Sequence, residues 1–246
     1  MIHQGNSLVP CIKLDWPKDK PLLSSLHFHN VELAFYNLNS LEDFYDKEVY
    51  LHLNITIKAL RLPIIKDLNE LIKLLHIALE IARGCDIAIL VMDAWWASHK
   101  KHEEIIKELL SLSDMLLSEG VSLSWNVSNE LDASHVIFLS EESSGAYTLS
   151  VDVCRLPNGE EELFQILINY GRLVRVIHMS NRDISANLYG LPIFDIRGSL
   201  DYGSILRFLK EMDVDSLLIL DYSDEYKTLY IQDLEKIEDY LLSPIV

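Results

Sequence analysis

Asp152, His178 and Asp221 are three side chains whose types and placement could do chemistry together. Each closes an apolar run: "TLSVDV" around Asp152, "LVRVIHMS" around His178 and "SLLILDYS" around Asp221. Two carboxylates and an imidazole suit a divalent ion such as Mn, Mg, Co or Zn. Each residue also has a plainer reading. An aspartate at a strand end can simply cap a loop, and a histidine in an apolar run can be a satisfied core residue. Arg155 follows Asp152 by three residues. It could meet a ligand's carboxylate or phosphate, or its fixed charge could oppose a metal. Trp95 and Trp96, directly after the run "DIAILVMDA", could form an apolar wall over a ligand or pack on a rim.

These residues need elements to bring them together. Short apolar runs alternate with longer stretches of helical spacing. Strands are expected at "VELAFYNL" from Val31, "EVYLHLNI" from Glu48, "DIAILVM", "VSLSWNV", "YTLSVDV", "LVRVIHMS" and "DSLLILDYS", with a weak first strand near "MIHQG". Helices are expected from about Leu62 to Arg83, in "KHEEIIKELLSLSDMLLSEG" ending at Gly120, and in "EEELFQILINYG", "SLDYGSILRFLKEM" and "IQDLEKIEDYLL". "HVIFLS" reads as a partial strand in a loop excursion. Strand–helix alternation at this spacing implies parallel strands with crossover helices. Eight strands in 246 residues suit a (β/α)8 TIM barrel occupying residues 1–246 as one domain. An open doubly wound sheet is the alternative, but no Gly-rich phosphate loop follows the first strand. In a barrel the strand ends would present Glu32, Asn37, His52, Asn54, Asp93, Trp125, Asn126, Asp152, His178 and Asp221 at one mouth.

Composition excludes several classes. A formal net charge of −17 repels polyphosphate, and the densest basic stretch, residues 99–102, is followed at once by two glutamates. Nucleic acid is therefore not an expected partner. Three scattered cysteines form no CxxC pair and no framework, which fits a reducing compartment. No apolar run is long enough to span a bilayer, and no signal-peptide pattern opens the chain. The chain is read as soluble and cytoplasmic, with no membrane partner and homo-oligomerisation left open. No GxSxG elbow, HExxH or EF-hand pattern is present.

The order of segments resembles the xylose-isomerase-like barrel superfamily, which includes sugar-phosphate isomerases and epimerases and endonuclease IV. The similarity runs from about Val31 to the C-terminus. It rests on "RGSLDYGSILRFLKEMDVDSLLILD", "SEGVSLSWNVSNE", "LSVDVCR" and "VRVIHMSN". The resemblance implies a divalent metal held by Asp152, His178 and Asp221, with Asp221 replacing the family's last Glu and acting as the catalytic base. It implies that His52, Arg155, Asn126 and Trp95 contact a sugar or sugar-phosphate substrate. The sequence departs from the pattern at three places: Trp125 stands at the position of the first metal-binding Glu, Arg155 replaces a His, and Asn181 replaces an acid. Two functions follow. One is a metal-dependent sugar isomerase or epimerase. The other is a barrel that has lost the metal and binds a small anionic ligand or a protein partner without catalysis.

Overall fold

The structure is a computed structural model that describes residues 8–26, 29–97, 102–212 and 214–243. Eight parallel strands close into a barrel: β1 (Leu8–Trp16), β2 (Asn30–Phe35), β3 (Thr56–Arg61), β4 (Ile89–Asp93), β5 (Ser122–Val127), β6 (Tyr147–Asp152), β7 (Val174–Met179) and β10 (Ser216–Leu220). Between the last two lies an antiparallel hairpin of β8 (Asn181–Asp183) and β9 (Leu188–Leu191). The helices are α1 (Leu38–Asp46), α2 (Leu68–Cys85), α3 (His102–Leu110), α4 (Ser113–Ser118), α5 (Glu130–Glu142), α6 (Glu160–Tyr170), α7 (Tyr202–Glu211) and α8 (Tyr230–Leu242). Among the described residues no helix is long and apolar enough to cross a membrane.

The period-2 pattern of the strands, interrupted by one extra residue in β3 and one in β7, sorts their side chains between two cores. On β1, Ile12, Leu14 and Trp16 join the large core between sheet and helices. The alternate residues face the barrel interior. There Cys11 packs with Ala59, Ile89, Val91, Val176, Leu217 and Ile219 into a small apolar plug. Lys13 and Asp15, further along the same inward face, stand above that plug. The same rule puts polar residues above it on the other strands, so the interior changes from apolar to polar toward the C-terminal mouth, where barrel chemistry sits.

Several expected elements lie elsewhere. The first strand is Leu8–Trp16, and the run "MIHQG" falls outside the described residues. The stretch from Glu48 is a 3-10 turn, Val49–His52, entered through Glu48 at φ 49°, and the third strand begins only at Thr56. The second helix starts at Leu68 rather than Leu62, because Pro63 interrupts the apolar spacing and Asp67 caps the helix by accepting from Glu70 N at 3.0 Å. "HVIFLS" is helical, inside α5, whose first turn is capped by Asn129 accepting from Asp132 N at 2.8 Å. The long helix expected before Gly120 is two helices. They break at Ser111–Leu112, where the hydroxyls of Ser111 and Ser113 donate to the carbonyls of Glu108 and Leu110.

Candidate functional site at the barrel mouth

The strand ends carry a ring of charge. Lys13 Nζ donates to both oxygens of Asp221, at 2.9 and 3.1 Å, and lies 3.8 Å from Asp15. Arg61, the last residue of β3, donates from Nη2 to Asp93 Oδ1 at 2.6 Å, and its Nη1 lies 3.1 Å from His178 Nε2. That nitrogen is also 3.0 Å from each carboxylate oxygen of Glu32, and both residues are fully buried. Asn126 donates from Nδ2 to Asp93 Oδ1 at 3.0 Å. Ser150 Oγ stands between Asn126 Oδ1, at 3.4 Å, and His178 Nδ1, at 3.3 Å. Asp152 accepts from Cys154 N at 3.2 Å and pairs with Arg155 Nε at 3.0 Å.

Above this ring opens a cavity of about 580 Å³, whose walls include Lys13, Tyr36, Asp152, Arg155, Tyr189 and Asp221. Tyr36 donates its hydroxyl to Asp15 Oδ1 at 2.6 Å. Burial, the Asp15 hydrogen bond and the charges of Asp15 and Asp221 push its phenol above the usual range, so it serves as a donor. The two cavity carboxylates are pushed in opposite directions. Burial and the charge of Asp221 raise Asp152 despite His178, Arg155 and Arg61. Burial also opposes ionisation of Asp221, but Lys13, His178 and Arg61 outweigh it and hold that carboxyl low. Burial opposes the charge of Asp93 too, yet Arg61 and Asn126 hold it low.

The expected trio is therefore divided. Asp152 and Asp221 line the cavity, on β6 and just past β10. His178 lies on β7 between them, level with Asp152 in strand register, and is fully buried against Glu32. Asp221 sits two residues beyond Ile219, the register partner of His178. Among the described residues no group of three or more His, Cys, Asp or Glu side chains is arranged to hold a metal ion. The donor chemistry gives the reason. Each oxygen or nitrogen a metal would need is committed to a partner: Asp221 to Lys13, Asp152 to Arg155, and His178 Nε2 to Glu32 and Arg61. Bringing a second cation beside Lys13 and Arg61 meets direct repulsion. As arranged, Asp152, His178 and Asp221 do not fit a divalent ion.

Other expected positions need correction. His52 is exposed, in the turn that precedes β3, and so lies at the end of the barrel opposite the mouth. Its apolar neighbours imitate a strand, but the strand end is Arg61. Trp95 lines a separate groove with Ile65, Lys66 and Leu71, with Lys66 Nζ 6.0 Å above its ring, and Trp96 is fully buried. Trp125 does not occupy an inward position. It is fully buried among the helix-side core residues, edge-on to Trp96 at 5.6 Å and stacked on Tyr147 at 6.4 Å. The inward residue of that pair is Asn126. Cys154 is buried, its thiol is pushed up by burial, and its Sγ donates to the Asn181 carbonyl, so it is no activated nucleophile. Arg182 is also buried, clamping the carbonyls of Cys154 and Leu156.

Lys13, Asp15, Arg61 and Tyr36 escape the reading of strand ends from sequence. The signal for the first two is the alternation in "CIKLDW". In β3 an extra residue at Lys58 puts Ile57 and Ala59 on opposite faces, so simple alternation gives no signal for Arg61.

No protein-family model and no curated protein sequence matches the chain. Solved structures do. A D-tagatose 3-epimerase-like protein matches with a TM-score of 0.67 and 13% identity, over 95% of this chain and 98% of its own. A xylose isomerase domain protein from Planctomyces limnophilus gives 0.65 and 12%, over 96% of each chain. A protein from Thermus thermophilus, in crystals soaked with zinc chloride, gives 0.66 and 15%, over 95% of this chain and 99% of its own. The fold is a closed (β/α)8 barrel, similar to that of these solved structures.

Proposed function

We propose that the protein binds a small polyhydroxylated ligand, of the sugar or sugar-phosphate kind, in the mouth cavity, and does so without a resident divalent ion. The observation that carries this reading is the pair of cations, Lys13 and Arg61, set among the mouth carboxylates. Lys13 and the exposed Arg155 would meet carbonyl, carboxylate or phosphate oxygens. Asp152 and Asp221 would accept from hydroxyls, and Tyr36 and Tyr189 would form the walls. Asn126 would act from beneath, by holding Asp93. The likeness of the barrel to a D-tagatose 3-epimerase-like protein supports a sugar-like ligand. Three free cysteines fit a cytoplasmic setting.

One observation favours a second reading, proton transfer on the bound sugar. Asp152 and Asp221 share one cavity and are pushed apart in acidity, the asymmetry an acid–base pair requires. Asp221 is tied to Lys13 through both oxygens, which makes it a weak base.

Thermal melting in EDTA against aldoses, ketoses, sugar phosphates and sugar acids tests the proposal. At least one class is expected to raise the melting temperature by a few degrees, as saturating ligands do, and Arg155→Ala should abolish the gain from the anionic members. A panel that shifts nothing in EDTA but acts once Mn is added contradicts it. Proton NMR of the bound ligand in D2O separates the two readings: exchange next to a carbonyl supports proton transfer, and binding without exchange supports a binding module.

A further inference from the structure

The inner face of β5 and β6 differs from the rest of the barrel interior. Leu123, Trp125 and Val127 on β5, and Tyr147, Leu149 and Val151 on β6, all join the helix-side core. The alternate residues therefore point inward: Ser124 and Asn126 on β5, and Thr148, Ser150 and Asp152 on β6. The apolar plug draws its side chains from β1, β3, β4, β7 and β10. On the two remaining neighbours β5 and β6, hydroxyls stand at that depth. Ser124 and Thr148 are register partners, and Asn126 and Ser150 are the next inward pair toward the mouth. Ser124 is fully buried, Thr148 is buried, and neither hydroxyl oxygen has a hydrogen-bond partner among the described residues.

A buried hydroxyl without a partner is destabilising, and folded interiors supply partners to nearly all of them. Here two such groups lie side by side on adjacent strands. Their side chains are also shorter or more polar than the Val, Ile and Leu that ordinarily fill the layers of a barrel. Polar pockets of this kind hold internal water, whereas apolar ones stay dry.

We propose that the barrel interior holds one ordered water between β5 and β6, hydrogen-bonded to Ser124 Oγ and Thr148 Oγ1. Its third partner is Ser150 Oγ, the diagonal neighbour of Ser124 across the same strand pair. Ser150 has capacity for it, because its contacts with Asn126 Oδ1 and His178 Nδ1 are long, at 3.4 and 3.3 Å. The water thus extends the polar network of the mouth one layer down and supports the serine that faces His178. None of Ser124, Thr148 and Ser150 lines the ligand cavity, so this solvent site stands or falls apart from any ligand bound there.

Conservative variants and a count of internal waters test it. Thr148→Val keeps the side-chain shape and Ser124→Ala removes little more than the hydroxyl. Each single variant should melt a few degrees below wild type, because the water loses a partner and the other hydroxyl is left less satisfied. The double variant should lose clearly less than the sum of the two, since the water and the groups that needed it leave together. Oxygen-17 relaxation of the solvent should count one fewer long-lived internal water in the double variant than in wild type. Single variants that melt at or above wild type, additive losses, or an unchanged water count each overturn the proposal. A high-resolution crystal structure of the wild type needs no variant at all: a water within hydrogen-bond reach of both hydroxyls is expected, and a direct Ser124–Thr148 hydrogen bond in its place overturns the site.

Discussion

Trp125→Glu is expected to remove most or all of the protein's stability. Trp125 is fully buried, packed between Trp96 and Tyr147 on the helix side of β5, and its indole Nε1 has no hydrogen-bond partner among the described residues. Truncating a buried tryptophan costs about 3–5 kcal/mol. A carboxylate left in that apolar layer adds several kcal/mol or forces itself to stay protonated. The sum rivals the ~5–15 kcal/mol that holds a domain together. The variant should be insoluble, or unfold at far lower urea than wild type. Trp125→Phe, which keeps a ring in the layer, should lose much less. The substitution also tests side-chain direction. If Trp125 faced the mouth, the glutamate would be tolerated there and would make melting respond to Mn. A soluble Trp125→Glu protein with that response contradicts the inward–outward assignment of the whole strand.

Lys227→Ala should have the next largest effect. Lys227 is buried and donates to Asp15 Oδ2 at 2.8 Å and Asp19 Oδ2 at 2.5 Å, with Asp224 Oδ1 at 3.1 Å. Asp15 and Asp19 are themselves buried, and Asp19 Oδ2 also accepts from Asp15 N at 2.8 Å. One ammonium thus ties the loop after β1 to the turn after β10. Removing it strands two buried carboxylates, which costs about 3–5 kcal/mol when one partner of a buried pair is deleted. For a chain of this size the melting temperature should fall by roughly 10 °C. Asp224→Asn is the contrast. That carboxylate is 57% exposed, so its loss should cost less than about 1 kcal/mol. Urea unfolding of the three proteins decides it, and a Lys227→Ala loss no larger than that of Asp224→Asn would mean the acids rehydrate freely. The lysine also supports the mouth, because Asp15 uses its other oxygen to hold Tyr36.

How much of this was legible in the chain depends on which physical signal carried it. Strand–helix alternation announced the barrel, and strand ends announced Asp93, Asn126, Asp152, His178 and Asp221, because apolar runs with a terminal polar residue survive any small error in register. Direction was harder. A strand's side chains alternate, so a reading displaced by one residue sends each of them to the wrong face; that is why Trp125 looked like a mouth residue and Asn126 is the one that is. His52 was misplaced because a 3-10 turn with apolar neighbours imitates a short strand. Arg61 was hidden because the stretch after it, "LPII", continues the apolar spacing of the next helix. The ion pairs themselves could not be read at all. Lys13 and Asp221 are 208 residues apart, and only closure of the sheet brings the first strand beside the last. A carboxylate waiting for a metal and one already bound to a lysine look the same along the chain.

The mouth carboxylates Asp221, Asp93 and Asp152 are satisfied from within, by Lys13, Arg61 and Arg155. Equilibrium dialysis of chelator-stripped wild-type protein against Mn2+ or Co2+, followed by metal analysis, addresses it most directly. No stoichiometric uptake is predicted, because Lys13, Arg61 and Arg155 already hold Asp221, Asp93 and Asp152. Retention of about one ion per chain, lost in Asp152→Asn or His178→Ala, would contradict it.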